Sequence, residues 1–160
     1  MNATATIEVD QFLAHPPSRV WRALTDPALL VRWLMPGDLR PIVGHRFTLD
    51  VSGRGPTHCE ILAVQPERLL RMSWRNGPLD TMVTWRLEPE GTGTRLFIVQ
   101  TGFELNNPAQ RSAYHAMSAG WSGSIMHALT DLLDSALPAD GGHRIWLFRE
   151  FCVLVTLGAR

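Results

Sequence analysis

The sequence predicts an α+β domain in which a curved antiparallel sheet wraps around a long C-terminal helix. Between residues 46 and 101, apolar and polar residues alternate in short segments separated by turn residues, which is the pattern of half-buried strands. After residue 107 this alternation gives way to a helical repeat of apolar residues. A sheet with one apolar face and a long helix to cover it forms a two-layer domain.

The first elements are expected to be one strand and two short helices. Apolar and polar residues alternate over Thr4–Leu13, which predicts a strand. Pro16 and Pro17 begin the first helix, because proline is tolerated in a first helical turn. Asp26 followed by Pro27 begins the second helix, with Asp26 as the N-cap residue.

Five strands are expected next, separated by turn sequences such as Asn76-Gly77-Pro78. Because the connections are short, consecutive strands should be antiparallel neighbours. The predicted strands are Arg46–Val51, Thr57–Gln65, Leu69–Arg75, Thr81–Glu88 and Thr94–Thr101.

A single long helix is expected from about Asn107 to about Leu137. On a helical wheel, one set of apolar residues falls within about 40° of Trp121, so this face should be buried along the whole helix. The residues of this face are Tyr114, Met117, Trp121, Ile125, Ala128 and Leu132.

Composition and charge exclude several classes of partner. The 160 residues include 15 basic and 15 acidic side chains, giving no net charge, so nucleic acid is not expected as a partner. No stretch is long and apolar enough to span a membrane, and the N-terminus does not resemble a signal peptide. Cys59 and Cys152 are too few for a disulfide framework. We therefore expect a cytoplasmic protein without a membrane partner.

Short motifs spread along the chain carry a family resemblance. In order they are Val20-Trp21-x-Ala23-Leu24-Thr25-Asp26-Pro27, Trp33, Gly44-x-x-Phe47, Pro66-x-x-Leu69 with Trp74, Gly93-Thr94-x-Leu96, Gly102-Phe103 and Gly120-Trp121. Together they resemble the bacterial proteins named after the activator of the ninety-kilodalton heat-shock chaperone's ATPase, in the START-like, or SRPBCC, superfamily. The resemblance covers roughly residues 4–137. It implies the helix-grip fold of the birch pollen allergen, with a deep cavity that relatives use to hold lipids, hormones or polyketides.

The inward-facing positions of the strands and the long helix predict the lining of this cavity. Nearly all of them are apolar or aromatic, which is typical of a pocket for a flat or lipophilic molecule. Gln100 would be a polar handle, and Trp33 would lie near the mouth. The predicted function is binding of a small, largely apolar or aromatic molecule, lipid-like or polyketide-like, without a cofactor. The residues expected to contact it are Trp33, Met72, Trp74, Trp85, Gln100, Tyr114, Met117 and Trp121.

Three other interpretations stay open. The same side chains could simply fill the core. The domain could be an enzyme of the cyclase or dehydratase type, with Tyr114 or His115 as the acid/base group. It could also be an interaction module for a chaperone or regulator, which would show a filled core and a large exposed apolar patch. A metal site is not expected, because His58 and Glu60 lie on the outward phase of their strand.

The C-terminal end does not fit the family pattern. We expect a START-like domain over residues 1–140 and a separate apolar tail over residues 141–160. The run Ile145–Leu157 is too short for a transmembrane helix and too apolar to be left exposed. We therefore expect the tail either to pack on its own domain or to mediate a homodimer.

Overall fold

The computed structural model describes residues 4–51 and 55–135. Within these ranges, six strands form one antiparallel sheet. The predicted tail over residues 141–160, and the expected end of the last helix near residue 137, lie outside the described residues. The strands are β1 (Thr4–Leu13), β2 (Arg46–Val51), β3 (Gly55–Gln65), β4 (Leu69–Asn76), β5 (Leu79–Glu90) and β6 (Gly93–Glu104).

The bounds of β1 and β2 agree with the prediction, and the other strands are one to three residues longer at one or both ends. The strand order is β1-β6-β5-β4-β3-β2, so β2 to β6 follow one another as antiparallel neighbours, as expected. The first strand, β1, pairs with the last strand, β6, and Val9 of β1 lies opposite Ile98 of β6. In the described part of the chain, β1 and β2 are therefore the two edges of the sheet.

Two short helices connect β1 to β2. Helix α1 spans Pro17–Thr25 and helix α2 spans Pro27–Trp33. The predicted N-cap is confirmed, because the Asp26 side chain accepts a hydrogen bond from the Ala28 amide at 3.0 Å. Each helix has proline at its first position, where a backbone N–H would have no acceptor within the helix. Because proline has no N–H, no such group is left unpaired there.

The expected long helix is bent, because it breaks at Gly123 into α3 (Pro108–Ser122) and α4 (Ser124–Asp134). Asn107 caps α3 by accepting from the amide of Ala109 at 3.0 Å. A Cβ atom on residue 123 would lie 2.8 Å from the carbonyl oxygen of Ala119, so this close backbone approach needs a glycine.

The break changes which side of the helix is buried. Before Gly123, Trp121 is buried as predicted, but after it Ile125 and Ala128 are only half-buried. Tyr114 and Met117 of α3 are half-buried as well, so of the predicted face only Trp121 and Leu132 are buried, and the expectation of one continuous buried face was wrong. The buried residues of α4 are Met126, Leu129, Leu132 and Leu133.

The core lies between the sheet and the helices. Helix α3 packs against β1 and β6, and α4 packs against α1, α2 and α3. The end of α4 is tied to α1 by Arg19, whose Nη2 donates to the carbonyl oxygens of Leu133 and Ser135, each at 2.7 Å. None of the helices in the described ranges has the length and hydropathy needed to cross a membrane.

Candidate functional site

Four tryptophans, which we call the tryptophan cluster, meet between the sheet and the helices. Trp74 of β4 and Trp85 of β5 lie on the inner face of the sheet, Trp33 is the last residue of α2, and Trp121 lies in the last turn of α3. Each of them is at most 3% exposed. The structure thus brings together four of the residues predicted to contact a ligand. Trp33, expected near a mouth, lies in the core instead.

The rings of the tryptophan cluster form one connected series. The Trp85 ring centroid lies 5.6 Å from that of Trp33 and 6.5 Å from that of Trp121. Trp121 in turn lies 5.9 Å from Trp74, edge to face. Tilted and edge-to-face pairs are the favoured aromatic arrangements. The cluster therefore joins two strands and two helices through ring contacts.

Gln100 of β6 is fully buried and ties the tryptophan cluster to the sheet. Its Oε1 accepts a hydrogen bond from Trp121 Nε1 at 2.8 Å, and its Nε2 donates to Thr81 Oγ1 at 2.9 Å. Nε2 also lies 3.6 Å from the sulfur of Met117. The Thr81 hydroxyl donates to the Trp74 carbonyl oxygen at 2.9 Å. Gln100, predicted to be a polar handle for a ligand, thus makes its hydrogen bonds to other protein groups. Together with Thr81 it links Trp121 of α3 to Trp74 of β4.

The buried indole N–H groups of the cluster differ in their partners. Trp33 Nε1 donates to the carbonyl oxygen of Ala23 at 2.9 Å, and Trp121 Nε1 donates to Gln100. Trp85 Nε1 is buried and has no hydrogen-bond partner among the described residues. Because buried polar groups are nearly always paired, this group is an exception.

The helical wall of the interior is less tightly closed than its sheet wall. Met72 of β4 is fully buried, as are its cross-strand neighbours Ile61 and Val83. On α3, Tyr114 and Met117 pack against the core but are only half-buried. Ile125, just after the helix break, is half-buried as well. Part of the apolar surface of these three side chains therefore remains exposed at the helical wall.

The two acid/base candidates lie at this helical wall and lack catalytic partners. The Tyr114 ring meets Phe103 edge to face at 5.3 Å, while the His115 side chain is exposed, 5.4 Å from the Tyr114 ring. Neither side chain makes a hydrogen bond or ion pair with another described residue. Proton transfer needs a group placed against the reacting atom, and among the described residues neither candidate is hydrogen-bonded to an acid or base.

The Cys59 thiol lies on the inner face of β3 and is 4% exposed. Burial raises the pKa of this thiol to about 12, because a thiolate is poorly solvated there. Since the thiolate is the nucleophilic form, Cys59 behaves as a small apolar core residue.

Two open clefts lie on the solvent-facing side of the sheet. One, of about 360 Å³, crosses β2, β3 and β4 and is lined in part by Arg46, His58 and Glu60. The other, of about 370 Å³, is lined in part by Asp10 and Phe97. Neither is lined by any of the predicted ligand residues. Across residues 4–51 and 55–135, no group of three His, Cys, Asp or Glu side chains is placed to hold a metal ion.

Comparison with known proteins gives the family. The family described as activator of Hsp90 ATPase homolog 1-like protein matches residues 14–134 of the chain. The chain belongs to this family. The matched range runs from just after β1 to the end of α4, so the family domain contains the whole tryptophan cluster. No curated protein matches the chain.

Solved structures agree with this membership in the activator of Hsp90 ATPase homolog 1-like family. Protein MLL2253 from Mesorhizobium loti is 40% identical, with 81% of this chain and 97% of that chain covered and a TM-score of 0.74. BH1534 from Bacillus halodurans is 25% identical, with 84% and 100% covered and a TM-score of 0.72. CalU16 from Micromonospora echinospora is 26% identical, with 84% and 85% covered and a TM-score of 0.65. The predicted family and helix-grip fold are confirmed.

Proposed function

We propose that this domain binds one small, largely apolar molecule between the inner face of the sheet and helix α3, beside the tryptophan cluster. The observation that carries the proposal is the helical wall, where Tyr114, Met117 and Ile125 pack against the core but stay half-buried, beside a tryptophan cluster that is buried. A ligand that covers this surface gains roughly 25 cal/mol for each Å² of apolar area removed from water.

The polar groups of the interior favour binding over chemistry. Gln100 and Thr81 are used to hold the fold together, and Tyr114 has no hydrogen-bonded partner among the described residues. A mainly apolar lining with very few available polar groups suits a lipid-like or polyketide-like molecule. An enzymatic role would need a titratable side chain aimed at the ligand and supported by a neighbour.

Thermal unfolding with a flat apolar probe, 2-isopropenylnaphthalene, tests the proposal. A ligand at ten times its Kd stabilises a protein by about 1.4 kcal/mol, which raises the Tm of a domain of this size by about 3–6 °C. We expect this rise together with saturable heat in isothermal titration. If neither is seen with this probe or with lipophilic molecules that co-purify from cells, the proposal fails.

A matched pair of variants tests whether the probe binds along the inner side of α3. Tyr114→Arg puts a charged side chain on the half-buried inner side of α3, where it should abolish the rise in Tm. His115→Arg makes the same change one residue later, at an exposed position, and should leave the rise unchanged. Equal effects of the two variants would show that the probe does not bind along the inner side of α3.

A further inference from the structure

Trp85 Nε1 is a hydrogen-bond donor in the interior that the fold leaves unused. The side chain is fully buried, and its N–H has no acceptor among the described residues. The ring neighbours Trp33 and Trp121 both donate to acceptors supplied by the protein. The Trp85 ring is therefore buried like the rings of Trp33 and Trp121, but its Nε1 has no hydrogen-bond partner among the described residues.

The surroundings of Trp85 explain why the fold does not supply an acceptor. Its cross-strand neighbours are Leu70 on β4 and Ile98 on β6, and both are apolar. Its ring contacts are other tryptophans. Leaving a buried donor unmatched costs roughly 1–3 kcal/mol, and an acceptor brought in from outside would recover that loss.

We propose that the natural ligand carries a neutral oxygen, in a carbonyl, ether or hydroxyl group, which accepts the hydrogen bond from Trp85 Nε1. This inference rests on the proposed function, since it names the class of molecule that the interior takes. A neutral oxygen suits the site better than a carboxylate, because the neighbours of Trp85 named above carry no positive charge to offset the burial of an anion. The ligand is thus a flat or extended apolar molecule with one buried acceptor.

Both ring neighbours of Trp85 lie near the ends of helices. Trp33 is the last residue of α2, and Trp121 lies two residues before the break at Gly123. A rotation of either helix end would move its indole away from Trp85, while the strands that carry Trp85 and its cross-strand partners stay paired. The acceptor of the ligand would then occupy the space beside the Trp85 N–H.

Two probes of nearly equal shape test this inference. 2-Acetylnaphthalene has a carbonyl oxygen where 2-isopropenylnaphthalene has a CH₂ group. If the ketone accepts the Trp85 hydrogen bond, it should bind the wild-type protein about three- to tenfold more tightly than the alkene. In Trp85→Phe this preference should fall to about one, with the alkene still bound.

Trp33→Phe is the matched control, because its N–H is already used by the Ala23 carbonyl, and it should keep the preference for the ketone. Indole N–H signals in ¹⁵N–¹H spectra give a second readout that does not depend on the stability of a variant. The ketone should shift one of them strongly downfield, and the alkene should not.

The outcomes separate this inference from the proposed function. Equal affinity of the wild-type protein for the two probes overturns the role of Trp85 but leaves apolar binding intact. The same holds if the ketone preference survives in Trp85→Phe, or if an ordered water beside Trp85 stays in place when the ketone binds. If neither probe binds the wild-type protein, the proposed function itself fails.

Discussion

Replacement of Gln100 by leucine tests whether the buried amide holds the fold together. The change removes the acceptor of the Trp121 indole and the donor to Thr81, and replaces the amide by an apolar side chain of similar size. If burial of apolar surface alone mattered, leucine at this fully buried position would stabilise the domain. The hydrogen-bond arrangement predicts the opposite.

The magnitude follows from the two bonds lost. Leaving the buried Trp121 N–H without an acceptor lowers the free energy of unfolding by roughly 1–3 kcal/mol. Losing the hydrogen bond to Thr81 lowers it by roughly 0.5–1.5 kcal/mol. The greater apolar character of leucine offsets part of this loss. We therefore expect Gln100→Leu to lower the free energy of unfolding by about 2–3 kcal/mol, or the Tm by about 4–12 °C.

Urea unfolding followed by circular dichroism measures this loss, with Gln100→Leu, Trp121→Phe and the double variant compared in one cycle. Because the two side chains bond to each other, the double variant should lose about 1–2 kcal/mol less than the sum of the single variants. Gln11→Leu makes the same change at an exposed position of β1 and should have an effect within about 0.5 kcal/mol. Unchanged or increased stability of Gln100→Leu would refute the reasoning.

Three further predictions concern other parts of the chain. Gly123→Ala should lower the free energy of unfolding by about 1–3 kcal/mol in urea, because the new Cβ meets a backbone oxygen at 2.8 Å. Cys59 should resist iodoacetamide between about pH 7 and pH 10 in the native protein, because its raised pKa keeps the thiol protonated there, as peptide mass spectrometry would show. Deletion of residues 141–160 should change the solubility or the mass in solution measured by light scattering.

Each of these predictions has its own control. Gly120→Ala lies three residues earlier, within α3, where a Cβ would meet only the end of the Ile125 side chain, so it should be neutral or stabilising. For Cys59, the unfolded protein should react readily, and equally fast alkylation of the native protein would contradict the burial argument. A shortened chain that stays soluble with an unchanged oligomeric state would argue against both expected roles of the tail.

Strand placement was largely predictable, because the signal for a strand is local. Alternation over Thr4–Leu13 and Arg46–Val51 gave the observed bounds of β1 and β2. It also placed Trp74, Trp85 and Gln100 on the inner face of the sheet. These positions depend on a period of two that the backbone itself imposes.

The details of the site depended on contacts between residues distant in sequence. Gln100 pairs with Thr81 and Trp121, about twenty residues away on either side, so periodicity showed that it faced inward but not what it would bond. A single glycine within a helical repeat is often tolerated, so Gly123 gave no clear sign of a break. Leu39 is fully buried but lies in an irregular segment before β2, without a periodic pattern to mark it.

A crystal structure of the protein with 2-acetylnaphthalene tests most directly whether the interior is a ligand site. We predict density for the probe between the inner face of the sheet and α3, in contact with the Trp85 ring, with Trp33 or Trp121 displaced from its position here. A probe bound there beside an undisturbed tryptophan cluster would overturn the role of Trp85 alone, whereas a probe bound only on the solvent-facing side of the sheet would contradict the account.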